Sequence, residues 1–168
     1  MTIDTTVNVF MQSIQFPPFV FLSKLIAIIF EPMVLVIISF IVAAYVYIKK
    51  SKKKAIFLGL AMATTGVAIK ILKEVFQRAR PLNSIVQESG FSFPSGHATA
   101  AVVFVGTLFY FFTSRRKELP ATLMAASLIL LIGITRLYLR VHWLTDVLGG
   151  FVLGGLILML AIFAYNKL

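Results

Sequence analysis

Long apolar stretches broken by short basic or polar ones leave this chain little choice of fold. Residues 33–48, 55–72, 98–112, 119–135 and 143–164 are apolar almost throughout. In hydrocarbon each backbone N–H and C=O must find its partner within the protein, so such stretches cross a bilayer as α-helices. With 60% hydrophobic and only 13% charged residues, the chain is far from a soluble domain, which is nearer half apolar and a quarter charged. The sequence therefore predicts an all-α integral membrane bundle of about five to six transmembrane helices, a multi-pass protein of the cell membrane. A single domain is expected over 1–168, with an interfacial or re-entrant part at 1–31 and a transmembrane core at 32–168.

The segments before the first span are different in kind. Ile3, Val7, Phe10, Met11 and Ile14 share one helical face while Asp4, Thr5, Asn8 and Gln12 lie elsewhere, a pattern for a helix lying in the interface. Pro17-Pro18 ends that helix. Residues 19–30 are apolar but short and carry Lys24, so they read as interfacial or re-entrant. Glu31-Pro32 can open the next helix, an acid and a proline both suiting a first turn. No signal peptide is expected, because no basic region and apolar core precede a cleavage site. The absence of cysteine removes disulfides and thiolate metal sites.

A net charge of +10 would suggest nucleic acid in a soluble protein. Here the basic residues sit between apolar runs, which points to topology and lipid headgroups, with no nucleic-acid partner. Five spans place Lys49, Lys50, Lys52, Lys53 and Lys54, the Arg115-Arg116-Lys117 cluster and Lys167 on one side, which the positive-inside rule makes cytoplasmic. The opposite, extracytoplasmic side receives Lys73, Arg78, Arg80, His97, Arg136, Arg140, His142 and Asp146. Single cations there can snorkel to lipid phosphates, but so many ionisable groups at one level point to a site.

Three segments carry that site, which spans 73–146. Lys73 and Arg80 stand seven apart, about two helical turns, which would put both on one face of the second span. Phe93-Pro94-Ser95-Gly96-His97 precedes an apolar helix-forming run. Pro94 disfavours helix before it, Ser95 is a good N-cap, and the free N–H groups of a first turn bind anions. Gly96 leaves the backbone open to a ligand, and His97 adds a titratable imidazole. Alone, such a turn is more often only a helix start. In the third segment, His142 and Asp146 are four apart, so the carboxylate can hold one imidazole N–H and activate the other nitrogen. His142 beside Trp143 also fits an interface anchor, but an acid at the edge of a span is costly unless paired. Cations in excess with two imidazoles suit a phosphate group and lack the donors of a typical metal centre.

The pattern Lys-x6-Arg-Pro, then Pro-Ser-Gly-His, then Arg-x5-His-x3-Asp, running from Lys73 to Asp146, resembles the type 2 phosphatidic acid phosphatase (PAP2) superfamily, which shares its site with the vanadium-dependent haloperoxidases. Thr135 stands where that family usually has serine before the arginine of its third motif. The resemblance implies a PAP2/haloperoxidase-like helical core and the following catalytic roles. His142 is the nucleophile that forms a phosphohistidine, Asp146 orients it, and His97 protonates the leaving oxygen and then activates water. Lys73, Arg80, Ser95, Gly96 and Arg136 hold the phosphate oxygens. No metal or other cofactor is implied, since dense positive charge can do a metal's work in phosphoryl transfer. The implied partners are membrane lipids and a lipid phosphate substrate: undecaprenyl diphosphate, phosphatidylglycerophosphate or phosphatidate. Oligomeric state is left open. The alternative is a non-catalytic lipid- or phosphate-binding protein or transporter, although no span has the broken, polar midplane of a transporter. Gly150 and Gly154 form a small-xxx-small pattern for helix packing, and Gly59, Gly66 and Gly133 read the same way. The loop around 83–92 is either a lid or lipid entrance or simply a connection.

Overall fold

A computed structural model describes residues 2–49, 51–114 and 118–167. Among these residues it has seven helices and no strand: α1 (Ile3–Ser13), α2 (Pro17–Ile29), α3 (Pro32–Lys49), α4 (Lys52–Phe76), α5 (Gly96–Phe112), α6 (Glu118–Tyr138) and α7 (Leu144–Lys167). Helices α3, α4, α6 and α7 are long and apolar enough to cross a membrane. Helix α5, apolar and 17 residues long, rises about 25 Å and is shorter than those four. At 13 residues α2 is only about 20 Å long, short of the roughly 30 Å hydrocarbon core.

Local chemistry explains where the helices begin. The Glu31 carboxylate accepts from Met33 N at 2.7 Å and Val34 N at 3.1 Å, which satisfies two of the free donors opening α3. Ser51 caps α4, and Ser95 caps α5, as its sequence context predicts. Helix α4 runs on to Phe76, and Gln77 ends it in the left-handed region at φ 43°. The expectation that Lys73 and Arg80 share one helical face therefore fails: Arg80 lies beyond the helix, and the chain's reversal, not helical periodicity, carries it back.

Helix α5 is the centre of the bundle, packed against α3, α4, α6 and α7. Its buried Ala100, Val103, Phe104 and Val105 join Leu35, Phe57, Leu58, Ala61, Met62 and Ile157 in one core. The tightest approach is between α5 and α7. A Cβ on Gly150 would lie 2.8 Å from the Ser95 carbonyl oxygen, and one on Gly154 would lie 2.7 Å from Val102 Cβ. Gly133 likewise faces Phe151 and Val147, whereas Gly59 and Gly66 face open space and serve no close helix contact. Small residues are the general means of bringing membrane helices together, because lipid offers no hydrophobic drive between them.

The two ends of the bundle differ in chemistry. At one, Lys53 lies over the Tyr165 ring and Lys54 over Phe111, with Phe57 packed edge-on to both rings. Lys50 and the Arg115-Arg116-Lys117 cluster lie outside the described residues. The other end gathers the ionisable side chains.

Helix α1 packs on α6 and α7 at that second end, with Val7 and Met11 against Leu137 and Val147. Its amphipathic face is divided: Ile3, Phe10 and Ile14 stay exposed, while the acid Asp4 is buried. Burial opposes ionisation of Asp4, but the Thr145 N–H and the Arg78 guanidinium outweigh it and hold its pKa below the ordinary value. Replacing Gly150 by alanine should cost about 1–3 kcal/mol through overpacking against the α5 backbone. Gly155, with open space around it, provides the control. Thermal unfolding in detergent should show a lowered midpoint for Gly150→Ala and none for Gly155→Ala.

Candidate active site

The polar end is assembled by backbone contacts between segments far apart in sequence. Ser95 N donates to Asp146 O at 3.0 Å and ties the start of α5 to the start of α7. Ser92 N donates to Arg78 O at 2.8 Å, and Trp143 Nε1 donates to Ala79 O at 2.9 Å, so the turn after α4 is fixed to both neighbours. Lys73 Nζ donates to the Phe91 carbonyl from the last turn of α4. Arg80 donates from Nη1 to Val141 O at 2.9 Å and from Nε to Gly90 O at 3.1 Å.

A cavity of about 520 Å³ results, lined by Lys73, Arg80, Gly96, His97 and His142 together with Glu31 and Glu88. Arg136 opens onto an adjoining cavity of about 470 Å³, whose wall also holds Lys24, Ala27, Ile28, Ile85, Val86 and Leu139, and both cavities share His97, Glu31 and Glu88. Asp146 is fully buried behind His142. Ser95 is fully buried too, and its hydroxyl oxygen accepts from Ala98 N; it does not line either cavity. Of the residues the sequence singles out, Lys73, Arg80, Gly96, His97 and His142 thus line the larger cavity. Arg136 reaches it through Glu88, and Ser95 and Asp146 stand behind it.

The His142 ring is oriented from both sides. Nδ1 lies 3.5 Å from Asp146 Oδ2, a loose contact that makes no well-formed hydrogen bond. Nε2 lies 3.3 Å from Arg80 Nη1. A guanidinium can only donate, so Nε2 carries the lone pair and Nδ1 the proton. Burial pushes the His142 pKa down to about 3; the Asp146 carboxylate opposes that shift, and Arg80 and Arg136 reinforce it. The imidazole is therefore neutral at physiological pH, with the lone pair of Nε2 turned to Arg80 on the cavity wall. His97 Nε2 lies 3.0 Å from the Ala27 carbonyl, which makes that nitrogen the donor and leaves Nδ1 as the basic atom of the ring.

Three residues of the site were given no role from sequence. Arg78 places Nη1 2.5 Å from Asp146 Oδ1 and Nη2 2.6 Å from Asp4 Oδ2. Asp4 in turn accepts from Thr145 N at 2.9 Å and Thr145 Oγ1 at 2.8 Å. The second carboxylate oxygen of Asp146 accepts from Trp143 N at 2.8 Å, so the acid behind His142 is held on both oxygens. Glu88 pairs with both Arg80 and Arg136. One signal was available: of the six acidic residues, Asp4, Glu31, Glu88 and Asp146 all reach this end.

The PAP2 superfamily model matches residues 54–168. Phosphatidylglycerophosphatase B of Bacillus subtilis is 37% identical over 127 residues, 71% of this chain. An undecaprenyl-diphosphatase of Sulfolobus acidocaldarius is 28% identical over 129 residues, 73% of this chain. The chain spans 62% and 60% of the lengths of these two relatives. The crystal structure of a PAP2-type phosphatidylglycerolphosphate phosphatase from Bacillus subtilis superposes with a TM-score of 0.90 at 30% identity, covering 98% of this chain and 85% of that one. LpxE from Aquifex aeolicus shares the fold at 24% identity, with a TM-score of 0.75 and 96% of both chains covered.

Removing Arg78 would leave the buried Asp4 and Asp146 carboxylates without the cation that bridges them. Breaking a buried ion pair typically costs about 3–5 kcal/mol, and partial exposure of Arg78 places it at the low end. Arg78→Ala should accordingly lower the unfolding midpoint in detergent by several degrees. Glu74→Ala, on an exposed position of α4, should leave it unchanged.

Proposed function

The chain belongs to the PAP2 superfamily, and from that membership we propose an integral membrane phosphatase that hydrolyses a lipid phosphate monoester or diphosphate through a phosphohistidine. The observation that carries this reading is His142: a buried, neutral imidazole turning Nε2 towards Arg80 in a cavity that Lys73 and His97 also line. Phosphoryl transfer requires a nucleophile in line with the leaving oxygen and positive charge around the equatorial oxygens.

In the proposed reaction His142 Nε2 attacks phosphorus, the P–N bond forms and the bond to the lipid oxygen breaks. That oxygen takes a proton from protonated His97. Asp146 faces the Nδ1 proton and stabilises the cationic phosphohistidine. His97, now neutral, accepts a proton from water as its oxygen attacks phosphorus, and the P–N bond breaks to release phosphate. Lys73, Arg80 and Arg136 hold the equatorial oxygens, and the Gly96 N–H at the start of α5 contributes a backbone donor. Ser95 serves this site through its cap on α5, which fixes the first turn carrying Gly96 and His97. The donor set of three cations and two imidazoles supports a reaction without a metal ion.

The apolar wall of Ala27, Ile28, Ile85, Val86 and Leu139 beside Arg136 suits the lipid part of the substrate. Phosphatidylglycerophosphate and undecaprenyl diphosphate are the first substrates to consider, on the names of the two curated relatives, with phosphatidate third. The site lies at the end opposite Lys53 and Lys54, which under the positive-inside rule supports an extracytoplasmic site.

Phosphate release from these three lipids and a soluble phosphomonoester, measured in detergent, tests the reading. His142→Ala should reduce release by at least about a thousandfold with the protein still inserted, and His97→Ala by about 10²–10⁴-fold. Release should persist in excess chelator. A chelator-sensitive activity restored by magnesium would contradict the metal-free reaction, and no release from any lipid would favour a binding protein.

A further inference from the structure

Arg80 and Arg136 already hold an anion. One oxygen of the Glu88 carboxylate accepts from Arg136 Nη2, and the other lies 3.0 Å from Arg80 Nη1 and 4.0 Å from His142 Nε2. A planar anion bridging two guanidinium groups beside the nucleophilic nitrogen makes the contacts that two oxygens of a bound phosphate would make.

The fold makes Glu88 the movable partner in this arrangement. Arg136 is 1% exposed, whereas the Glu88 side chain is 24% exposed on the wall between the two cavities. The loop that carries it is fastened on either side. Ile85 N donates to Leu139 O at 3.0 Å, Asn83 Nδ2 to Gln12 Oε1 at 2.9 Å, and Ser92 N to Arg78 O at 2.8 Å. The side chain can therefore turn away without the loop leaving its place. Glu31, the other carboxylate facing both cavities, is committed to the start of α3. Arg136 Nε is buried without a hydrogen-bond partner, so the pair leaves donor capacity unused.

We infer that Glu88 is a specificity-determining residue, an internal competitor that sets a charge threshold for occupying the phosphate cradle. This rests on the proposed reading that Arg80, Arg136 and Lys73 form such a cradle. A ligand must displace a carboxylate of charge −1 that is already tethered in place. A phosphodiester headgroup also carries one charge and offers two unesterified oxygens, so the exchange gains it little. A phosphomonoester carries about −1.5 to −2 charges and three terminal oxygens, enough to engage both arginines and Lys73. Its attraction to the same cations is correspondingly larger. Diester headgroups form the surface in which this site sits, and an unoccupied set of three cations would bind them. Glu88 keeps them out while admitting a monoester or diphosphate end.

The test uses the full chain in detergent and inorganic phosphate as the probe, with binding followed by calorimetry so that turnover is not required. If Glu88 holds the arginines nine-tenths of the time, Glu88→Gln should tighten phosphate binding by about tenfold. Short-chain phosphatidylglycerol, a diester, should compete with phosphate in the variant and not in the wild type. Glu88→Ala should behave alike, which separates loss of the charge from new contacts of the amide. Equal or weaker phosphate binding in both variants, or unchanged exclusion of the diester, would overturn the role of Glu88. If neither the wild type nor the variants bind phosphate, the cradle itself is misassigned, and the inference falls with it.

Discussion

Charge at the end of an apolar bundle must be paired, and the pairing of Asp146 is the constraint on which the rest of this site depends. Both its oxygens are occupied, one by Arg78 and the other by Trp143 N. An unpaired carboxylate with no exposure would be protonated or would distort its surroundings. Paired, it is a fixed negative charge 3.5 Å from His142 Nδ1. That charge and the Arg80 contact at Nε2 favour the tautomer with the proton on Nδ1, while burial and two nearby arginines keep the ring neutral. The nucleophilic character proposed for His142 is thus set jointly by Asp146, which stands behind the cavity, and by arginines that line it and the adjoining cavity. Arg78 owes its own position to Asp4, so α1 contributes an anion to the site from outside the core bundle.

The close approach of α5 and α7 supplies the geometry that this electrostatic arrangement needs. Gly150 lets the α7 backbone reach the Ser95 carbonyl, and Ser95 N in turn donates to Asp146 O. His97 in the first turn of α5 and Asp146 in the first turn of α7 are therefore held in register by one glycine contact and one hydrogen bond. At the opposite end Lys53 and Lys54 lie over aromatic rings instead.

Much of this was legible in the sequence because its signals are local. Apolar length marks the spans, Pro94-Ser95 marks the start of α5, and Glu31-Pro32 marks the start of α3. The spacing of His142 and Asp146 placed them within reach, although His142 lies in the turn before α7 and not on the helix with Asp146. The error over Lys73 and Arg80 has a plain cause: Gln77 takes a left-handed conformation that glutamine rarely signals, so the helix stops between them. Arg78, Asp4 and Glu88 were passed over because their partners lie tens of residues away, and an ion pair between distant segments leaves no periodicity. A count of acids against cations at this end was the available clue.

The central claim is that His142 becomes covalently phosphorylated. Rapid quenching of the wild-type protein with a lipid phosphate substrate, followed by peptide mass spectrometry under alkaline conditions that preserve phosphohistidine, measures this directly. Phosphate on the peptide containing His142, appearing within one turnover and absent in His142→Ala, is the predicted result. Turnover with no phosphorylated peptide, or phosphate carried by His97 instead, would contradict it.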